Sequence, residues 1–326
     1  MGRWTRRASR WGVLALVLLV ATLVPDTGLI AAGPPRAAAV VQVAAADEAD
    51  DPGGFIARHL LRPAPISVPS SQQLVLAELN PKRAPIPSGP VTYVPILYYH
   101  YIRINPNPRD SVGFSLSTPP AMFAAQMQYL ADHGFHVISL HQAVVAIKNH
   151  SGLPSHSLVL TFDDGYADFY TAAIPVLQSN GFTAMNFVIS GRMGWGGYMT
   201  PSQVVSAASM GFTIGAHTVD HLALAGQAPA LAAWEIRQSK LTLEGLLGHP
   251  VLDFAYPYGS FNPYDEAQAT ADGFETAVST LYGDWHSAGQ LFFLSRQRIG
   301  GGLPLSYFAN VVAGPPPTAA ELRAVV

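Results

Sequence analysis

The chain has 326 residues, 49% of them hydrophobic and 12% charged, with a formal net charge of −3 and no cysteine. This length and apolar content allow a large buried core and exclude a wholly disordered chain. The lack of cysteine excludes a disulfide scaffold, a thiolate metal site and a cysteine nucleophile, and the slight acidity gives no support to nucleic-acid binding.

The first 46 residues have the layout of a secretory signal. Four arginines lie among the first ten residues, and an apolar run over residues 12–24 follows. That run is too short to span a bilayer comfortably as a helix, and alanine triplets at 37–39 and 44–46 offer cleavage sites. We therefore predict a cleaved signal peptide, with an uncleaved N-terminal anchor as the alternative and the only predicted link to a membrane. Either interpretation makes the working domain secreted or associated with the cell surface.

Residues 47–92 are predicted to be a linker. Eight prolines lie between positions 52 and 90, and proline interrupts helices and central strands. A short helix is predicted near residues 72–79. A spacer explains this composition better than a ligand for a proline-binding domain does. At the other end, residues 314–326 are predicted to be a C-terminal tail.

Between residues 93 and 313 short apolar strands alternate with amphipathic helices, which predicts one catalytic domain. Strands are predicted at 94–99, 135–138, 157–162, 183–189, 212–216, 251–256 and 274–279. Helices are predicted at 119–133, 141–148, 167–179, 201–209, 228–247 and 263–272. Such alternation indicates an α/β fold with a parallel sheet and right-handed crossovers. About seven repeats in this length suit a closed or nearly closed barrel, and an open doubly wound sheet is the alternative.

Two carboxylates stand where the strand at 157–162 ends, at the edge where parallel α/β folds build their sites. These are Asp163 and Asp164. Adjacent residues of an extended segment point in different directions, so the two can take different roles, one on a cation and one on a substrate water. Helix N-capping is the competing interpretation of this pair.

A histidine pair, His217 and His221, follows the strand at 212–216. Four residues are about one helical turn, so both imidazoles can converge on one metal ion. With Asp164 they would make a two-histidine, one-carboxylate site that suits zinc or another divalent transition metal. A further polar turn, Tyr-Pro-Tyr-Gly at 256–259, could aim a backbone N–H into the site, although taken alone it fits an ordinary turn better.

Together these motifs resemble those of the polysaccharide deacetylases, the NodB-homology enzymes of carbohydrate esterase family four. Residues 161–165 look like the first motif of that family, 217–221 like the second and 256–259 like the third. The resemblance covers roughly residues 94–300. It implies a distorted (β/α)7 barrel and a hydrolase that acts on an acetylated glycan.

The same resemblance implies a role for each motif residue. Asp163 would be the general base, and Asp164, His217 and His221 would hold a divalent metal ion, Zn²⁺ above all. Tyr258 would offer its backbone N–H to the tetrahedral intermediate.

Two features depart from the common pattern of the family. Ala255 stands where the third motif usually carries an arginine that contacts the catalytic aspartate. The late L-x-H motif that supplies the general acid is also missing, and residues 294–299 read Leu-Ser-Arg-Gln-Arg-Ile instead. His100, at the end of the first strand, resembles the displaced acid of the circularly permuted branch, which includes deacetylases of poly-β-1,6-N-acetylglucosamine. We therefore predict His100 as the general acid, with a structural histidine as the alternative.

The predicted function is metal-dependent removal of N-acetyl groups from an extracellular polysaccharide that contains N-acetylglucosamine, with release of acetate. The alternatives are a peptidoglycan deacetylase, an O-acetyl-xylan deacetylase and a non-catalytic glycan-binding barrel. Trp195, in a glycine-rich loop, is a candidate for stacking on a sugar ring, and Trp285 is a weaker one. The sequence does not predict an oligomeric state.

Overall fold

The computed structural model describes residues 81–107 and 109–314. Its strands are β1 (Thr92–Tyr93), β2 (Ile96–Tyr99), β3 (His136–Val137), β4 (Ser157–Phe162), β5 (Met185–Val188), β6 (Thr213–Ala216), β7 (Asp253–Ala255), β8 (Thr276–Val278), β9 (Trp285–His286) and β10 (Gln297–Arg298). Its α-helices are α1 (Ser111–Leu116), α2 (Pro120–Asp132), α3 (Leu140–Asn149), α4 (Ile174–Ser179), α5 (Pro201–Ser209), α6 (Pro229–Leu247), α7 (Pro263–Ala271) and α8 (Leu305–Val312). None of the helices in these ranges is long and apolar enough to cross a membrane.

One parallel sheet forms the frame of the domain. Its strand order is β10-β2-β4-β5-β6-β7-β8, and β3 pairs with the start of β4. At the far edge, Val278 of β8 pairs in parallel with Leu294, which lies just before β10. The sheet therefore curls until its last strands return to its first, which confirms the predicted barrel class and not the open doubly wound sheet.

Alternating strand residues fill two separate cores. The outer core lies between the sheet and the surrounding helices and includes Leu158, Leu160 and Phe162 of β4. The inner core contains Ile96 and Val159, together with the apolar face of α3. Because burial of each large apolar side chain stabilises the fold by about 1.5–3 kcal/mol, both faces of the sheet contribute to its stability, as expected for a parallel sheet.

Most predicted elements are present, with some differences at their ends. Strand 157–162 and helix 201–209 match β4 and α5, and the latter begins with a capping box from Thr200. The predicted helix at 167–179 instead starts as a π-helical turn over Phe169–Ala173. The helices α1 and α8 and the short strands β1, β9 and β10 were not predicted from the sequence. The predicted signal peptide, the helix near 72–79, most of the linker and most of the C-terminal tail lie outside the described residues.

Candidate active site

The candidate residues gather at the C-terminal edge of the sheet. Asp163 and Asp164 follow β4, His217 follows β6 and His100 follows β2. All four residues are at most 4% exposed. Since the strands are parallel, their ends meet at one edge, and this edge brings the predicted residues together.

Asp164 and the two histidines form a small triangle of ligand atoms. The Nε2 atoms of His217 and His221 are 3.2 Å apart, and Oδ1 of Asp164 lies 3.4 Å and 3.2 Å from them. No other group of this kind is found in the described part of the chain. Three ligand atoms so close together, two of them imidazole nitrogens, are what a bound divalent cation requires.

Neighbouring groups orient the two imidazoles. Nδ1 of His217 lies 2.7 Å from the carbonyl oxygen of Ala255. A carbonyl only accepts hydrogen bonds, so this nitrogen carries a proton and Nε2 of the neutral ring keeps its lone pair for a metal. Nδ1 of His221 lies 3.0 Å from the hydroxyl of Tyr258. Burial would raise the pKa of Asp164, but the adjacent His221 and His217 hold that pKa well below its usual range.

The two histidines converge through an irregular turn. The helical turn that their four-residue spacing predicted is therefore wrong. Thr218 and His221 both have positive φ, 62° and 63°, which is uncommon for residues other than glycine. The N–H of His221 donates to Oγ1 of Thr218 at 3.0 Å. This left-handed backbone turns His221 back toward His217 without any helical hydrogen bonds.

A buried carboxylate on α6 stabilises that turn. Glu235 is fully buried, and its Oε2 accepts the N–H groups of Val219 and Asp220, each at 2.9 Å. Two hydrogen bonds to a charged acceptor are strong in a buried environment. Glu235 was not predicted as a site residue, because it lies 14 residues after His221 on a helix, where an acidic residue is typical of a solvated face.

An ion pair inside the barrel holds Asp163. Arg296 donates from Nη1 to Oδ1 at 2.8 Å and from Nη2 to Oδ2 at 2.7 Å. Neither side chain is more than 3% exposed. Ala255, at the end of β7, has no charge to offer at the position where the third motif usually carries an arginine. Arg296, directly before β10, supplies the guanidinium instead. The sequence feature that could have indicated this ion pair is the pair of arginines within residues 294–299.

Arg296 is itself fixed from several sides. Its Nε donates to the carbonyl of Ser279 at 2.9 Å, and Nη1 also donates to Oγ1 of Thr161 at 3.1 Å. The guanidinium carbon lies 4.3 Å from the ring centroid of Tyr98, a cation–π distance. Burial would raise the pKa of Asp163, but the charge and hydrogen bonds of Arg296 hold it below its usual value. The carboxylate is therefore ionised at neutral pH, as a proton acceptor must be.

His100 and Tyr258 complete the set of predicted site residues. The N–H of Asp163 donates to the carbonyl of Tyr99 at 2.9 Å, which places His100 beside the carboxylates. Its charged form lowers the pKa of both Asp163 and Asp164. Tyr258 has φ 58° within the turn after β7. Gly259 follows with φ 62°, and a Cβ there would overlap the side chain of Thr280, so that tight turn needs glycine.

The two tryptophans lie in different places. Trp195 is 61% exposed on a loop that is hydrogen-bonded to the segment after Asp164, through Met199 N–H to Gly165 O and Ala167 N–H to Gly197 O. Trp285 belongs to β9, which pairs with β1 on the side where β2 begins. The structure thus brings Trp195, and not Trp285, to the edge that carries Asp164, His217 and His221.

Comparisons with known proteins agree with this geometry. A family model described as polysaccharide deacetylase matches residues 150–277. Bacillus subtilis YxkH, assigned as a polysaccharide deacetylase, is 31% identical over 219 residues, which are 67% of this chain and 76% of that protein. The structure of the Streptococcus pyogenes deacetylase PplD in complex with acetate is similar with a TM-score of 0.64 and 28% identity, over 69% of this chain and 99% of that one.

A shorter similarity is to a deacetylase of Escherichia coli. The poly-β-1,6-N-acetyl-D-glucosamine N-deacetylase of Escherichia coli K12 is 36% identical over 64 residues, which are 20% of this chain and 10% of that protein. The match to YxkH is long and close enough to identify the family, and the edge of the sheet described above carries the residues expected of it. The chain belongs to the polysaccharide deacetylase family, carbohydrate esterase family four, whose members are hydrolases that use a divalent metal ion.

Proposed function

We propose that this protein is a zinc-dependent, secreted enzyme that removes N-acetyl groups from a polysaccharide containing N-acetylglucosamine, with release of acetate. The observation that carries the proposal is the pairing of two different carboxylates at the end of β4. Asp163 is ionised and held by Arg296, whereas Asp164 stands with His217 and His221. One carboxylate is thus available as a base and the other as a metal ligand.

The spacing of the three ligand atoms supports zinc. Ligands that surround a tetrahedral zinc ion at about 2.0–2.1 Å stand about 3.3–3.4 Å from one another. The three distances in the triangle of Asp164, His217 and His221 are 3.2–3.4 Å. Three protein ligands also leave a position for water or substrate, as in catalytic zinc sites. When bound, the ion would polarise the acetyl carbonyl and make a nearby water more acidic.

The residues of the chain would then act in sequence around the acetamido group. Asp163 takes a proton from the attacking water, whose oxygen bonds to the acetyl carbon. The backbone N–H of Tyr258 stabilises the negative oxygen of the tetrahedral intermediate. His100 gives a proton to the nitrogen as the carbon–nitrogen bond breaks. The products are acetate and a free amino sugar.

Two further points support an extracytoplasmic glycan as the substrate. The first 46 residues have the layout of a secretory signal. Over 64 residues the chain is similar to an enzyme named for poly-β-1,6-N-acetylglucosamine.

The buried Arg296 argues against the alternative of a non-catalytic glycan-binding barrel. That alternative was favoured by the missing arginine at position 255, and Arg296 pairs with Asp163 in its place.

Acetate release from defined glycans tests the proposal. The purified, metal-free protein is supplied with zinc or left without it, and is offered N-acetylglucosamine oligomers of β-1,4 and β-1,6 linkage, peptidoglycan and O-acetylated xylan. We expect zinc-dependent acetate from an N-acetylated substrate and none from Asp163→Asn, which should still bind zinc. Acetate from xylan alone would favour the esterase alternative. Bound zinc with no acetate from any substrate would favour the binding module.

His217→Ala and His221→Ala test the metal site separately. Each removes one of the three ligands, so each should lose zinc on dialysis and lose activity with it. Metal content is measured by elemental analysis. Unchanged zinc in both variants would show that the triangle of ligand atoms is not the metal site.

A further inference from the structure

A polar and aromatic cavity lies away from Asp164, His217 and His221. It has a volume of about 670 Å³ and is lined by Arg83, Tyr93, Tyr282, Asp284, Trp285 and Gln297, with further residues from within 84–91 and 310–314. Trp285 is 42% exposed and Tyr282 is 40% exposed. Large aromatic side chains of which about two-fifths remain in contact with water are groups that a ligand can cover.

The walls of this cavity are held by hydrogen bonds. The N–H of Ala84 donates to Tyr282 O at 3.0 Å, and the N–H of Tyr282 donates to Lys82 O at 2.9 Å. Nε2 of Gln290 donates to the carbonyl of Pro85 at 3.0 Å. The cavity is therefore largely pre-formed, which lowers the entropic cost of binding.

The polar groups in the cavity suit a ligand with hydroxyl groups. Nε2 of Gln297 donates to both carboxylate oxygens of Asp284, each at 3.0 Å. A carboxylate has roughly four lone-pair positions, so Asp284 can accept further hydrogen bonds from hydroxyls or amines. Arg83 also lines the cavity, so the lining carries one charge of each sign and suits a neutral polar ligand as well as a charged one.

The aromatic groups select the same class of ligand. Tyr93 and Trp285 meet edge to face, with ring centroids 5.1 Å apart, so their planes form a corner beside Asp284. Aromatic faces cover the C–H faces of sugar rings, while the carboxylate and amide bind the hydroxyls at the ring edge. A polysaccharide provides both features in every unit.

The cavity lies at the opposite end of β2 from the active site. Tyr93 precedes β2 and His100 follows it, and seven residues of extended chain span roughly 20 Å. We propose that this cavity is a second glycan-binding site, which holds a distant stretch of the same polysaccharide that is deacetylated at the other end of the barrel. The inference rests on the proposed function. Two linked contacts would raise the affinity for long chains and leave short oligomers unaffected.

Binding and kinetics with chains of different length test the proposal. Binding is measured by calorimetry in the Asp163→Asn background, so that the glycans stay intact, and kinetics are measured in the active protein. Trp285→Ala removes the exposed ring, and Asp284→Asn is a milder variant that keeps the fold. Leu241→Ala is the control, because Leu241 is 52% exposed on α6 and lines neither site.

For Trp285→Ala and Asp284→Asn we expect long chains of N-acetylglucosamine to bind about tenfold more weakly. The KM for long chains should rise by a similar factor, with kcat and all kinetics on trimers unchanged. Leu241→Ala should behave like the parent protein. Equal binding of long chains by all variants would overturn the proposal. So would binding that appears only after truncation behind Gly314, since the cavity would then be covered by the C-terminal segment.

Failure of the proposed function would look different. In that case the parent protein would release no acetate from any glycan, but the binding experiment could still be read. Length-dependent binding that is lost in Trp285→Ala would then support the second site alone.

Discussion

The two halves of the barrel interior are filled by opposite kinds of side chain. Near the starts of the strands, Ile96 and Val159 pack against the apolar face of α3. Near the ends of the strands, Arg296, Asp163 and Thr161 form a buried hydrogen-bonded network. An apolar core tolerates volume-conserving changes, whereas a buried ion pair is costly as soon as one partner is lost. The lower half of the interior, at the starts of the strands, should therefore tolerate volume-conserving substitutions. The upper half, at the ends of the strands, should not.

The largest effect should come from Arg296→Ala. Asp163 would be left buried without its partner, which costs about 3–5 kcal/mol of stability. The pKa of Asp163 would rise and its carboxylate would lose its orientation, so kcat/KM should fall by about 100-fold or more. Acetate release and urea denaturation measure the two effects.

Arg298→Ala is the matched control for that experiment. Arg298 lies two residues further along and donates from Nη1 to the carbonyl of Ser115 at 2.8 Å. Its loss should cost about 1 kcal/mol of stability and leave kcat/KM close to that of the parent protein. Equal losses of activity in the two variants would show that the pairing with Asp163 has no special role.

A charged exception in the lower half sharpens the comparison. Asp253 begins β7, and burial, with help from Glu275, raises its pKa to about 7 from the usual 3.8. A raised folded-state pKa means that the stability is complete below about pH 4 and is lost as the pH rises to about 7, by roughly 2–4 kcal/mol. Asp253→Asn should reduce this dependence and leave the part due to Asp168 and Asp265, whose pKa values burial raises to about 6. Urea midpoints of the parent and the variant across that pH range check the prediction, and an equal pH dependence in the two proteins would contradict the pKa shift of Asp253.

The two ends of α6 offer the third test. Glu235, at the upper end, accepts two backbone N–H groups of the histidine turn. Glu244, at the lower end, accepts the N–H of Val251 at 3.0 Å. Glu235→Gln replaces an anionic acceptor of two hydrogen bonds by a neutral amide, so zinc affinity should fall about 10–100-fold. Glu244→Gln, the matched control, should keep its zinc affinity. Competition with a chelator measures both, and equal affinities would rule out Glu235 as a positioning residue.

The smallest effect should come from Ile96→Val in the lower half. One methylene leaves the inner core, which costs about 0.5–1.5 kcal/mol. The kcat on any accepted glycan should stay unchanged, because the network around Asp163 does not include this side chain. A large fall in kcat with intact folding would show that the two halves are not independent.

The fold was largely predictable from the sequence because its main strands are short apolar runs that alternate with amphipathic helices. Strand 157–162 coincides with β4, and the motifs after β4 and after β6 mark the edge of the sheet where the candidate site lies. The helices α1 and α8 were missed. α1 has only six residues and contains Gly113, and it depends on a cap from Asp110 rather than on apolar periodicity.

The site was predicted less completely, since its supporting residues come from distant parts of the chain. Arg296 and Asp163 are 133 residues apart in the sequence, and no local pattern connects them. The turn of His217 and His221 also differs from the helix that their spacing suggests. Positive φ at Thr218 and His221 depends on tertiary hydrogen bonds, including those of Glu235. Spacing alone does not reveal such backbone.

The position of Arg296 near the C-terminal end of the barrel has a consequence for biosynthesis. A chain leaves the ribosome from its N-terminus, so β4 and its aspartates emerge long before the segment at 294–298 that closes the sheet. Until that segment pairs with β2 and β8, Asp163 has no guanidinium beside it, and long-range pairing of this kind forms slowly. The ion pair of Asp163 with Arg296 is therefore completed by the last segment of the sheet, and a chain that stops before residue 296 would lack this pair even with every earlier strand in place.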